Sequence, residues 1–323
     1  MINGILNIYK EKGYTSHDVV ARLRGIVGQK KIGHTGTLDP EAEGVLPVCL
    51  GRATKVCDML TDKDKTYEAV LLLGKVTDTQ DITGKVLSER SLDDQDLSGG
   101  AVTERRAKEC IRRFIGAYDQ IPPMYSALKV GGKKLYELAR EGKTVERKSR
   151  RVTVYDIRIK DISLPRIRME VDCSKGTYIR TLCHDIGEKL GCGGCMEQLL
   201  RTRVGRFSLA GSRKLDEVEE LAGAGKLEDI LIPIDRIFEK LGEIRLKEQY
   251  NLLAYNGNPF GNGHIAYRKP DQENISGNGK NVSKNEGFRV YDSRGNFIGI
   301  YYYDGETERF RCEKMFLDPD QIH

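Results

Sequence analysis

The segment His34-Thr35-Gly36-Thr37-Leu38-Asp39-Pro40-Glu41-Ala42-Glu43-Gly44-Val45-Leu46-Pro47 constrains this chain more than any other. Gly33, Gly36, Gly44, Pro40 and Pro47 bracket one carboxylate, Asp39. Glycine admits backbone angles closed to other residues, and a following proline moves Asp39 out of the α region towards an extended conformation. Leu38, Val45 and Leu46 can anchor the flanks in a core, which fixes where Asp39 points. An ordinary tight turn uses the same residue types. The segment alone assigns no function.

With 323 residues, the chain can bury a sizeable core and form two domains. Hydrophobic content of 39% and charged content of 31% describe a soluble globular protein. No apolar run approaches the roughly 20 residues of a membrane span. Met1 to Lys10 lacks the basic, apolar and cleavage regions of a signal peptide, so a cytoplasmic location is expected. A net charge of +5 hints at an anionic partner without demanding one. The eight cysteines form no framework and read as mostly buried thiols. Cys192-Gly193-Gly194-Cys195 is a single C-x-x-C, half of a zinc site and outside a thioredoxin-like setting, so it carries neither a metal nor a redox assignment.

Gly4 to Tyr9 reads as a strand, and Thr15 or Ser16 can cap a helix with Val19, Val20, Leu23 and Val27 on one face, stopped by Gly28. Val48 to Val56 is a second glycine-punctuated segment carrying two cations. Tyr67 to Leu73 is a strand candidate, followed by the polar turn Thr77-Asp78-Thr79-Gln80-Asp81. Ser88 to Glu104 reads as an acidic, exposed connector. Charge then changes sign: Glu104 to Arg151 holds 14 Lys or Arg against six acids. Its centre combines Pro122, Pro123, Tyr125, Gly131-Gly132, Lys129, Lys133 and Lys134 with a short helix at Leu135, Leu138 and Ala139. That is the composition of a mobile loop able to offer cations to a polyanion.

Arg151 to Ile162 is a strand whose inward phase slips near Tyr155-Asp156, as a β-bulge would produce. Ile167, Met169, Val171 and Cys173 alternate as the next strand. From Thr177, the stripe Ile179, Leu182, Cys183, Ile186 and Leu190 is helical and ends at Gly191. Arg180 then falls in the first turn of a helix, where the dipole disfavours a cation, so it calls for a carboxylate or phosphate partner. Leu215 to Leu221 is an acidic helix. After Gly242 the chain changes character: a helix over 247–255, strands at Arg289–Tyr291, Phe297–Tyr303 and Arg309–Phe316, and a mobile Asn/Gly/Ser-rich stretch over 269–287. No P-loop, GxGxxG or metal constellation stands out.

Gly33 to Pro47, Lys65-Thr66-Tyr67 with Asp78 to Asp81, Cys173-Ser174-Lys175-Gly176-Thr177-Tyr178-Ile179-Arg180, and Leu199-Leu200-Arg201 together resemble the motifs of the TruB family of tRNA pseudouridine synthases, in order over roughly residues 3 to 236. Lys10 is followed by Glu11, where the family usually has proline. The resemblance implies an α+β pseudouridine-synthase fold: a central mixed, mostly antiparallel sheet flanked by helices, and a small β-rich PUA-like C-terminal domain. It places a catalytic domain at 1–240, with a basic thumb loop at about 121–151, and an RNA-binding domain at 241–323. The implied reaction is isomerisation of uridine 55 in the tRNA T loop by a monomeric, stand-alone enzyme without cofactor, metal, membrane or obligatory protein partner.

The same resemblance makes Asp39 the essential aspartate, Tyr67 the active-site tyrosine and Arg180 the arginine that pairs with Asp39, keeping it ionised and oriented. It implies substrate contacts from His34, Tyr178, Leu200, Lys10, Lys129, Lys133 and Lys134. His34 either fills the space left by an extruded nucleotide or caps its own loop. Two rivals remain: an RNA-binding protein without turnover, against which the Asp39, Tyr67, Arg180 set argues, and the guide-RNA-dependent branch of the family, which lacks the basic thumb.

Overall fold

The computed structural model describes residues 1–93, 100–270 and 286–318. The first half of the chain forms β1 (Gly4–Lys10), α1 (Ser16–Val27), β2 (Ile32–His34), β3 (Glu43–Leu50), α2 (Cys57–Thr61), β4 (Lys65–Leu73), β5 (Lys75–Thr77), β6 (Val86–Glu89), α3 (Glu104–Arg112) and β7 (Gly116–Gln120). The basic insertion holds β8 (Lys129–Val130), β9 (Lys133–Lys134) and α4 (Leu135–Arg140). There follow β10 (Arg150–Ser163), β11 (Arg166–Cys173), α5 (Ile179–Leu190), β12 (Gly194–Val204), β13 (Phe207–Ser208) and α6 (Leu215–Gly223). The remainder forms β14 (Gly242–Leu246), α7 (Asn251–Tyr255), β15 (Ile265–Lys269), β16 (Gly287–Tyr291), β17 (Phe297–Asp304) and β18 (Arg309–Met315).

A nine-stranded sheet runs β1-β3-β12-β4-β11-β10-β7, with β2 on β3 and β13 on β12. Only the β3–β12 pair is parallel, so the sheet is mixed and mostly antiparallel. One face buries Tyr67, Ala69 and Leu71 of β4 and Met169 and Val171 of β11 beneath α3 and α5. At the β1 end, Leu6, Ile8 and Leu46 pack against Val19, Val20 and Leu23 of α1 and Val218 of α6. A second, five-stranded sheet, β15-β14-β16-β17-β18, has its own core around Phe260, Phe288, Tyr301 and Phe310. Ile300 and Phe316 of this part pack with Phe238 and Val45, joining the two sheets.

Local rules explain the helix ends. Thr15 caps α1, accepting the Asp18 N–H while Asp18 accepts the Thr15 N–H, and Gly28 closes the helix at φ 63°. The expected bulge in β10 lies between Val154 and Asp156, and a second irregularity follows at Ile159/Asp161. Gly51–Val56, read from the sequence only as a glycine-punctuated segment, is a 3-10 helix. The helix expected over 247–255 is a 3-10 turn followed by the short α7. Part of the acidic connector is ordered, because β6 pairs with β5; its residues 94–99 lie outside the described residues. So do 271–285, most of the stretch expected to be mobile; Lys269 ends β15 and Gly287 opens β16.

Candidate active site

The Asp39 loop is held from both sides by buried cations. On one side the Lys10 ammonium donates to the carbonyls of Pro40 at 3.0 Å and Glu11 at 3.1 Å. Lys10 is fully buried, and that burial pushes its pKa down to about 8. On the other side the guanidinium of Arg201, also fully buried, donates through Nε to the Val45 carbonyl at 2.8 Å and through Nη2 to the Gly36 carbonyl at 3.3 Å. The Leu38 N–H is fixed by Ser16 Oγ at 2.9 Å, and the Gly13 N–H by the Pro40 carbonyl at 2.9 Å. Gly44 must be glycine: its φ is 106°, and a Cβ there would stand 2.2 Å from the Arg201 carbonyl oxygen.

Arg180 meets Asp39 as the helix-dipole argument required. Its Nε lies 2.9 Å from Asp39 Oδ2 and its Nη2 donates to Asp39 Oδ1 at 3.2 Å, a two-point carboxylate clamp. The remaining donors reach the carbonyls of Thr79 at 3.0 Å and Tyr125 at 2.8 Å, and Asp81 Oδ2 is 3.6 Å from Nη1. One guanidinium thereby joins the Asp39 loop, the turn after β5, the thumb root and α5. The Arg180 side chain is 5% exposed, whereas the Asp39 side chain keeps 38% of its surface open. Burial pushes the Asp39 carboxyl above the ordinary aspartate range, Arg180 opposes this, and Asp81 adds to the rise. The net direction is upward, so the arginine orients the carboxylate and offsets only part of the cost of ionising it there.

Tyr67 of β4 is buried, with its hydroxyl beside the Arg201 guanidinium; burial raises its pKa. Arg201 sits opposite Tyr67 in the β4–β12 register and opposite Gly44 in the β3–β12 register. It therefore links tyrosine and aspartate loop, a role not foreseen from the sequence. Asp81 was likewise seen only as part of a motif. In both cases the residue type was the signal: an arginine in phase with an apolar residue on a strand, and an acid two residues after an Asp-Thr turn.

The other expected residues divide into three groups. His34 packs edge-on against His17, with ring centroids 5.4 Å apart, and its Nδ1 accepts the Gly36 N–H at 3.3 Å; burial lowers its pKa. Tyr178 ends the turn before α5, next to Arg180, and burial raises its pKa. Lys129, Lys133 and Lys134 lie on a two-plus-two-residue hairpin turned by Gly131 and Gly132 at φ 58° and 86°. Lys133 pairs with Glu141 at 3.1 Å, and Lys134 lies over the Tyr136 ring.

Lys10 and Leu200 are set differently from these. Lys10 is enclosed, and its ammonium is engaged by the Pro40 and Glu11 carbonyls that flank the Asp39 loop. Leu200 lies opposite Glu68 and Glu43, on the face away from Tyr67; strand alternation puts Leu199 on the Tyr67 face, within the same core. Among the described residues, no group of three or more His, Cys, Asp or Glu side chains could hold a metal ion.

A carboxylate fixed by a bidentate arginine, open to solvent on one side and walled by a tyrosine, is equipped for nucleophilic or general-base work on a bound substrate. The whole chain superposes on that of a Cbf5–Nop10–Gar1 complex with a TM-score of 0.68, at 25% identity, covering 98% of this chain and 86% of the other. An H/ACA ribonucleoprotein bound to a substrate RNA containing 2′-deoxyuridine gives the same score at 23% identity and the same coverages. The fold is that of the pseudouridine synthases.

Residues 24–179 match the model of the TruB family pseudouridylate synthase N-terminal domain, and residues 180–239 that of the tRNA pseudouridylate synthase B C-terminal domain. The tRNA pseudouridine synthase B of Lachnoclostridium phytofermentans is 50% identical, with 98% of this chain and all of that protein covered. Those of Alkaliphilus oremlandii (49%; 80% and 82% covered) and Clostridium perfringens (43%; 98% and 100% covered) are similar. The chain belongs to the TruB family.

Proposed function

We propose that this enzyme isomerises uridine 55 in the T loop of tRNA to pseudouridine, as a stand-alone cytoplasmic monomer without cofactor. Asp39 is the catalytic carboxylate, with Arg180 and Tyr67 completing the site. The two-point Arg180–Asp39 clamp, open on one side to a substrate, carries this reading. Its support on the substrate side is the shared identity with relatives named tRNA pseudouridine synthase B.

In the reaction the bond from sugar C1′ to N1 breaks, the uracil turns over, and C1′ bonds to C5. The C5 proton is lost and N1 gains one, so the product is an isomer. Asp39 serves by attack on the sugar or the base, or by removing a sugar proton. Each route needs the carboxylate ionised. The target base must leave its stack to reach Asp39. Tyr67 then packs on the uracil, Tyr178 lines the entry and His34 supports the opened loop. Lys129, Lys133 and Lys134 grip phosphates, and recognition is mainly of the stem-loop shape. The Ile121–Gly142 insertion favours a stand-alone enzyme over a guide-RNA-dependent one. The division into a catalytic domain to residue 240 and an RNA-binding domain beyond is part of the same proposal.

The test is incubation with unmodified tRNA, followed by chemical mapping of pseudouridine. A single new stop at position 55 is expected. Modification elsewhere, or only with an added guide RNA, would overturn the assignment.

A further inference from the structure

Two groups from the root of the thumb grip the start of α5. Gln120, the last residue of β7, is 1% exposed, and its whole amide is engaged. Its Oε1 accepts the Tyr178 N–H at 2.8 Å; its Nε2 donates to the Tyr178 carbonyl at 3.0 Å and to the Tyr118 hydroxyl. Further along the root, the Tyr125 carbonyl accepts from Arg180 Nη2 at 2.8 Å. Helix α5 has no side-chain cap at Tyr178 and no acid in its first turn, so Gln120 stands where a cap would. Bonds to both backbone groups of one residue fix the direction in which the chain enters the helix, and Arg180 follows two residues later.

Gln120 is also opposite Arg150 in the β7–β10 register, so the chain leaves for the insertion and returns from it at one cross-strand pair. Both arms of the insertion join the sheet at this pair, so a shift of the thumb root bears on it directly. We infer that Gln120 is a positioning residue for the isomerisation: it holds Tyr178 to Arg180 so that the guanidinium meets Asp39, and it makes that alignment depend on the seating of the thumb root. The inference rests on the assignment of Asp39 and of the thumb made above. A side chain serving only to staple β7 to α5 would affect stability and leave the chemistry of the folded enzyme unchanged.

The test compares wild type, Gln120→Ala and Gln120→Glu on a T-arm stem-loop. It reads the single-turnover rate constant at saturating RNA, the Kd, the acid limb of the pH–rate profile and the melting temperature. In Gln120→Ala the rate constant should fall about tenfold or more while Kd changes by less than about twofold, as expected for lost positioning hydrogen bonds. The acid limb should move to higher pH. Asp39 is faced by Arg180 and Tyr178 at α5, Asp81 on the turn, Lys10 on β1, Tyr67 on β4 and Arg201 on β12, and Arg180 gives the strongest downward pull. Gln120→Glu keeps an acceptor for the Tyr178 N–H and should recover part of the rate; it decides by the same readouts if the alanine variant melts below the assay temperature. A wild-type rate constant in the variants, or a loss confined to Kd with the acid limb unmoved, would overturn the inference. No product from wild type would instead overturn the reading of function beneath it.

Discussion

Two sets of cations do opposite work in this molecule. Lys10 and Arg201 are enclosed and donate to backbone carbonyls of the Asp39 loop or its neighbours, and Arg201 also to the Tyr67 hydroxyl. Lys129 and Lys133 stand exposed on a hairpin whose strands are two residues each, and Lys134 is half-buried beside Tyr136. The inner pair aims one carboxylate; the outer set suits a polyanion. Burying a charge is costly unless it is hydrogen-bonded, and here those bonds hold a loop in place. Exposed charges contribute little to holding structure in place, even when paired as Lys133 is with Glu141, and they act at a distance set by salt.

The comparison predicts that changes in the loop alter rate and changes in the thumb alter affinity. The largest effect should come from Asp39→Asn, with single-turnover pseudouridine formation falling roughly 10⁴-fold or more while stem-loop affinity stays within about twofold. Appreciable turnover by that variant would sink the catalytic assignment. Next is Arg180→Lys, which cannot make the two-point clamp; a loss of about 10²–10³-fold in rate is expected. Its acid limb should also rise. Asp39 already ionises above the ordinary range, so activity falls as pH drops through that raised value, and losing the strongest opposing cation raises it further. An unchanged limb would mean that the limb reports another group.

Replacing Lys129, Lys133 and Lys134 together by Gln should weaken RNA binding roughly 10-fold to 100-fold and flatten the plot of log Kd against log salt by about two, at about 0.7 per phosphate contact. Unchanged affinity and slope would place the grip elsewhere. The smallest effect separates two adjacent leucines. Leu199→Ala removes a buried neighbour from the Tyr67 core and should cost about 2–4 kcal/mol in denaturant unfolding. Leu200→Ala, half-buried on the other face, should cost under about 1 kcal/mol. The reverse order would contradict the strand phase.

Arg180 was legible because it broke a local rule, a cation at the wrong end of a helix; Asp39 sits in what its neighbours alone read as a tight turn, and the family resemblance singled it out. The Thr15 cap, the Gly28 stop, the alternating Ile167–Cys173 strand and the β10 bulge were legible from spacing. Which of Leu199 and Leu200 faces Tyr67 was not legible, because β12 carries irregularities at Met196/Gln198 and at Arg201/Arg203 and the strand as a whole offers no single inward phase. Arg201 and Lys10 were hidden for another reason. A cation reads as a surface residue until the carbonyls that surround it are known, and those come from segments distant in the chain. Strands β14 and β15 are short and charged, and they are ordered by pairing with each other and, for β14, with β16.

The most direct test of this division of labour is one salt titration of wild-type enzyme on the stem-loop, reading Kd and the single-turnover rate constant at saturating RNA. The account predicts that Kd weakens steeply with salt while the rate constant at saturation stays flat, because the grip is exposed and the Arg180–Asp39 clamp is sheltered. A saturated rate constant that falls with salt in step with affinity would contradict it.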